Sequence, residues 1–187
     1  MIVVVIPLVI PSSFAELELT QSVEGVAPVT GEWQTYTFKL SDLAGAGLDV
    51  SAIDVLMIFP AWGAGEGAVY RVDNVKIYNP NAAPVASGEL NVFTDTVADQ
   101  WSIWDCCGGS TPTTETDDDQ HGAVAQFSIG ATPTVMGFLA DEDVSFDASA
   151  LLENGVVQFD LKVITAPSDV DAQWLFKIES IGASSAV

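Results

Sequence analysis

The chain has 187 residues, 49% of them hydrophobic, and sets 26 acidic side chains against five basic ones for a formal net charge of −21. A surface of that sign cannot neutralise phosphates, so nucleic acid and anionic membranes are poor partners, while basic ligands, metal cations and neutral polymers stay open. Five Trp, nine Phe and three Tyr supply ample core material, and scarce Lys beside abundant Asp, Thr and Gly suits a secreted, folded protein.

In chain order, Met1 to Ala15 is an apolar run whose Ser13-Phe14-Ala15 ending resembles a signal-peptidase site. No basic residue precedes it, and it is shorter than the ~20 residues that cross a bilayer. Its β-branched Val3, Val4, Val5, Ile6, Val9 and Ile10, interrupted by Pro7 and Pro11, favour a strand over a signal peptide. Beyond it, alternation of period two dominates and helical periodicity is nearly absent. Strands are predicted over Ala15–Thr20, Trp33–Lys39, Ile53–Phe59, Val69–Tyr78, Leu90–Phe93, Val124–Ser128, Val135–Phe138, Val144–Asp147, Val156–Ile164 and Gln173–Ser180. Gly-, Pro- and Asn-rich turns separate them, and Ser41-Asp42-Leu43 suits one short helical turn. Many short strands at this spacing predict an all-β antiparallel sandwich of jelly-roll type. A Pro/Ala/Asn stretch over residues 79–88 carries no apolar period and reads as a linker, dividing the chain into residues 1–78 and 89–187, each short of a full sandwich.

Two segments carry a resemblance. The run from Gly31 to Tyr78, with Trp33-Gln-Thr-Tyr36-Thr-Phe38, Leu-Ser-Asp-Leu and a closing Val72-Asp73-Asn74-Val75, resembles the final half of a galactose-binding-like β-sandwich. The run from Phe93 to Glu179, with Trp-Asp-Cys-Cys-Gly-Gly and Phe-Asp-Leu-Lys-Val-Ile, resembles the opening half. Together they are similar to the non-catalytic C-terminal carbohydrate-binding module of marine family 3 exo-β-glucanases. In that family the second run precedes the first, so here the halves stand in reversed order. A circular permutation, an excerpt of a tandem array, or half-domains completed between neighbouring chains would each produce this. The last two would give an array or head-to-tail filament, with the Met1–Ile10 run serving as an intermolecular strand and exposed strand edges as the templates for pairing.

The residues with candidate chemistry are few. Cys106 and Cys107 are adjacent and followed by Gly108-Gly109. A vicinal disulfide is favoured in a secreted chain, with reduced thiols and interchain bridges as alternatives. Asp141-x-Asp143-x-Ser145-x-Asp147 resembles a calcium loop, but Phe146 stands where the sharp turn needs Gly, which rejects an EF-hand. The resemblance instead implies a structural Ca²⁺ at Asp73, with Asp95 as a second ligand. Glycan binding needs flat rings that stack on sugar faces and planar polar groups that reach hydroxyls. Trp62, Trp101, Trp104 and Tyr70 are the candidate rings, with Asp105, Glu66, Arg71 and Gln100 as polar partners, whereas Trp33 and Trp174 read as core. No nucleophile elbow, phosphate loop or dinucleotide fingerprint occurs, and the one histidine, His121, has no evident partner in sequence. The expected function is an extracellular, non-catalytic polysaccharide-binding module, a β-glucan being the ligand the resemblance implies. The competing reading is a self-assembling fibre or adhesin subunit.

Overall fold

The computed structural model describes residues 13–82, 88–109, 113–130 and 134–180. The predicted terminal strand over Met1–Ile10 lies outside them. Twelve strands follow in chain order: β1 (Ser13–Glu18), β2 (Trp33–Lys39), β3 (Val55–Pro60), β4 (Val69–Tyr78), β5 (Leu90–Thr94), β6 (Thr96–Val97), β7 (Trp101–Asp105), β8 (Thr113–Asp118), β9 (Gly122–Ser128), β10 (Met136–Ala140), β11 (Val156–Thr165) and β12 (Trp174–Ser180). One helix, α1 (Leu40–Ala46), grows from the predicted Ser41-Asp42-Leu43 turn and buries Leu40 and Leu43.

The strands form two antiparallel sheets. One runs β1-β12-β3-β10-β7; the other runs β2-β11-β4-β5-β6, with β9 also against β4 and β8 against β9. Alternation places Tyr36 and Phe38 of β2, Phe159 and Leu161 of β11, and Tyr70 and Val72 of β4 in one apolar core with Leu56 and Ile58 of β3 and Phe176 and Ile178 of β12. At roughly 1.5–3 kcal/mol for each large side chain removed from water, this core is the main source of stability. A smaller apolar cluster, Val55, Met57 and Phe59, occupies the other face of β3, with Trp104, Val135, Leu139 and Leu175 packed against it.

Pairing mixes the two halves of the sequence throughout. Among the described residues, β1 pairs only with β12, β2 only with β11, β3 with β12 and β10, and β4 with β11, β5 and β9. Among the described residues, no strand before residue 79 pairs with another strand before residue 79. The stretch 79–88, expected to be an interdomain linker, therefore joins β4 to β5, neighbours in one sheet with Ile77 opposite Leu90. Ser13 stands opposite Ser180 across β1 and β12, the geometry of a hairpin whose two arms lie at opposite ends of the described chain. Each half thus finds its missing partner strands within the same chain.

Four elements differ from expectation. Val144–Asp147 is not a strand: Phe146 makes a single bridge to Ile53, directly after a turn at Asp143 with φ 64°. Conversely, β6, β7 and β8 form where no strand is predicted. β7 is a full strand with Trp101 buried, and β8 is a polar strand that pairs with β9.

Candidate functional site

Two regions gather the chemistry. The first is the sandwich end where β3, β7, β9 and β11 finish and β2, β4, β10 and β12 begin, as the pairs Pro60–Trp174, Asp105–Met136, Ser128–Val69 and Lys162–Trp33 establish. Residues 61–68 connect β3 to β4 here, and Gly63 and Gly67 take φ of 83° and 81°, which glycine adopts without the strain a Cβ would impose. Trp62, 58% exposed, stands on this loop, as does the exposed Glu66. The loop is braced, not free: Ala61 N–H donates to Gln173 O, Gly67 N–H to Ile129 O, and both the N–H and Oγ of Ser168 to Glu66 O, at 2.7–3.0 Å.

The next residue along, Gly130, donates to Gly109 O at 2.7 Å and so ties this loop cluster to the cysteine turn. Cys106 and Cys107 are disulfide-bonded with Cα atoms 3.8 Å apart, the separation of a trans peptide. Asp105 holds the turn by accepting from Cys107 N–H at 3.1 Å and from Thr134 Oγ1, and Cys106 N–H donates to Val135 O. Trp104 lies partly buried over the apolar cluster of Val55, Met57 and Phe59, opposite Gly137. A Cβ on Gly137 would overlap the Leu56 carbonyl oxygen, so glycine is required for β10 to pass this close to β3.

Other ligand candidates lie elsewhere. Tyr70 is fully buried, donates its hydroxyl to Ile58 O at 2.6 Å and packs edge-on to Trp174 at 5.1 Å; burial first, and the Asp105 charge second, push its phenol well above the usual range. Trp101 is likewise core, 7% exposed. Neither ring presents a face to a sugar, because strand alternation turns both inward. Gln100, with φ 65°, sits at the opposite end of the sandwich, where its carbonyl accepts from Asp141 N–H.

The second region lies on the outward face of β2, β11 and β4, beneath the tip of the β8–β9 hairpin. Strand alternation puts Asp73 on the outward side with Arg71, directly opposite Asp160, and the register shift just beyond it, with Asn74 at φ 52°, returns Val75 to the core. Two carboxylates directly opposed repel. Their surroundings offset this: His121 Nδ1 lies 2.9 Å from Asp73 Oδ2 and 3.9 Å from Asp160 Oδ2, and Thr35 Oγ1 and Asn74 Nδ2 donate to Asp160 at 2.6 and 2.8 Å. The His121 ring stacks on Trp33 with centroids 3.9 Å apart. Trp33, expected in the core, is therefore a partly exposed surface ring, because β2 turns it to the same side as Thr35. Asp73 Oδ1 is buried without a hydrogen-bond partner. Asp95, in the β5–β6 turn with φ 61°, accepts from Ala123 N–H at 3.2 Å.

Asp118 closes the arrangement. Its carboxylate accepts from Arg71 at 2.6 Å, Trp33 Nε1 at 3.1 Å, Lys162 at 3.3 Å and Gln120 N–H at 3.0 Å, so one side chain of the hairpin fastens three strands. Burial alone would raise its pKa, but these hydrogen bonds outweigh burial and hold the carboxyl well below the usual range. Arg71, a candidate glycan partner, is thereby committed to Asp118. The pairing of Arg71, Lys162, Asp118, Asp160 and His121 was not evident in sequence, where the one local sign was an Asp-Gln-His-Gly turn that glycine at φ 70° closes. Among the described residues no group of three His, Cys, Asp or Glu side chains is arranged to hold a metal ion, and no helix is long and apolar enough to cross a membrane. No known protein family, curated relative or solved structure matches the chain.

Proposed function

We propose that this chain is an extracellular, non-catalytic carbohydrate-binding β-sandwich module that takes a polysaccharide at the end carrying Trp62. The observation behind this reading is the exposed Trp62 ring on a glycine-rich loop fixed by four backbone-acceptor hydrogen bonds, with Glu66 on the same loop. A large ring held in water on a braced loop gains nothing for folding and suits stacking against the C–H face of a pyranose. The joined Cys106–Cys107 pair favours an oxidising compartment and hence secretion. A β-glucan remains the ligand implied by the sequence resemblance.

A structural Ca²⁺ at Asp73, with Asp95 nearby on the β5–β6 turn, belongs to the same reading. The buried, unpartnered Asp73 Oδ1 supports it, since a cation would satisfy that oxygen. The test of function is affinity electrophoresis or pull-down on a panel of neutral polysaccharides including laminarin and mixed-linkage β-glucan. Retardation that Trp62→Ala abolishes while the melting temperature stays unchanged supports the reading. No retardation on any polymer rejects it.

A further inference from the structure

Beside the Trp62 loop, the β1–β2 connection (residues 19–32) and the β11–β12 connection (residues 166–173) enclose an apolar groove. Two adjoining hollows of about 210 and 290 Å³ share Ala27, Pro28, Val170, Ala172 and Trp174 as walls. Val170, which lines both hollows, is 88% exposed, and Val26 and Val29 of the β1–β2 connection are exposed as well. This is an apolar patch with no folding purpose, the usual mark of an interaction site.

We infer that this groove docks an extended protein segment whose apolar side chains are flanked by lysine or arginine. Three observations select that occupant. Several polar groups of the groove are engaged with one another or with neighbours: Gln173 Nε2 donates to Glu18 Oε1 at 2.8 Å, Thr20 Oγ1 to Glu18 Oε2 at 3.1 Å, and Asp171 N–H to Asp169 Oδ1 at 3.0 Å. A sugar, which must exchange many hydroxyl hydrogen bonds with water for new ones, finds few partners there. The rim is acidic: Glu18 and Asp171 line it, and residues 19–32 and 166–173 contain no Lys or Arg. A second copy of the chain would bring −21 against −21, whereas basic flanks on a partner meet complementary charge. Two hollows with a common wall suit side chains i and i+2 of an extended segment, about 6–7 Å apart.

The experiment uses the full chain and three fluorescein-labelled nine-residue peptides in anisotropy titrations at 150 mM salt. One has a Val/Ile/Thr core flanked by two lysines at each end, one the same core flanked by glutamates, and one a Ser/Gly core flanked by lysines. The expected result is saturable binding of the first alone, weakened about tenfold by Val170→Asn, the loss of roughly one buried apolar side chain. Val170 is a surface loop position, so an unchanged melt accompanies the substitution, and Ala172→Arg, which places a positive charge in the groove, weakens binding again. Equal binding of both lysine peptides, or indifference to Val170→Asn, overturns the inference as plain charge attraction. Competition by laminarin, or dimerisation in light scattering that Val170→Asn abolishes, overturns it in favour of a glycan or a second copy.

Discussion

Tyr36 and Tyr70 are both fully buried in the one core, yet only Tyr70 has a partner for its hydroxyl: Ile58 O lies 2.6 Å away, while Tyr36 Oη has none. The Tyr36 phenol is pushed up to about 12 by burial first and by the charge of Glu24 second. The two positions should respond oppositely to loss of the oxygen. Tyr70→Phe leaves a satisfied donor missing and is expected to cost about 1–2 kcal/mol, whereas Tyr36→Phe removes an unpaired polar atom and should be neutral or stabilising by up to about 1 kcal/mol. Urea denaturation of both variants decides; equal losses would mean that Tyr36 has a partner, such as a buried water.

Asp118→Asn should destabilise the fold by about 2–3 kcal/mol at pH 7, because Arg71 and Lys162 lose a buried counter-charge at once. The sign of the pH effect follows from the depressed Asp118 pKa. Its contribution is complete above the unfolded value of about 4 and is lost as pH falls below that and through the lower folded value. Wild type and variant should therefore converge in stability on acidification, and a difference that stays constant from pH 7 to pH 2 would refute the network.

Gly137→Ala is expected to cost about 3 kcal/mol or more, since the new methyl would meet backbone atoms of Leu56 and Met57 that cannot move without parting β10 from β3. Gly63→Ala offers the control, with open space around its Cβ and only the cost of φ 83° to bear. Comparable melts for the two variants would place the strands further apart.

If Ca²⁺ occupies Asp73, chelation by EDTA should lower the melting temperature and added Ca²⁺ restore it, because an ion bound only to the folded state stabilises by mass action. Asp73→Asn should remove that response while keeping the side-chain volume. A melt indifferent to both EDTA and Ca²⁺ dismisses the ion.

Where strands have an inward face, the sequence pattern locates them: β2 and β4 fall on the predicted bounds because Tyr36, Phe38, Tyr70 and Val72 alternate cleanly. β8 escapes such reading because Thr-Thr-Glu-Thr-Asp-Asp has no apolar period, and its place is set by the turn to β9. β7 was hidden by its own aromatics: Trp101 looked available for sugar stacking, but pairing with β10 turns it into the core. The Trp62 loop was legible from its glycines. The Asp73–His121–Trp33 cluster is not, since its members are brought together by the pairing of β2 and β4 with β11 and by a hairpin whose His121 lies 48 residues from Asp73.

The mixing of the two sequence halves has a consequence for biosynthesis. Among the described residues, strands β1 to β4 pair with none of one another, so they complete no sheet until β10, β11 and β12 emerge. At about 5–20 residues per second, synthesis of the next hundred takes roughly 5–20 s. Through that interval apolar strands such as Val-Leu-Met-Ile-Phe-Pro are bare, a hazard for aggregation. The acidic residues spread through the same segment then act as a solubility tag built into the nascent chain. A surplus of negative charge that costs the finished fold some repulsion thus protects the protein before it has a fold at all.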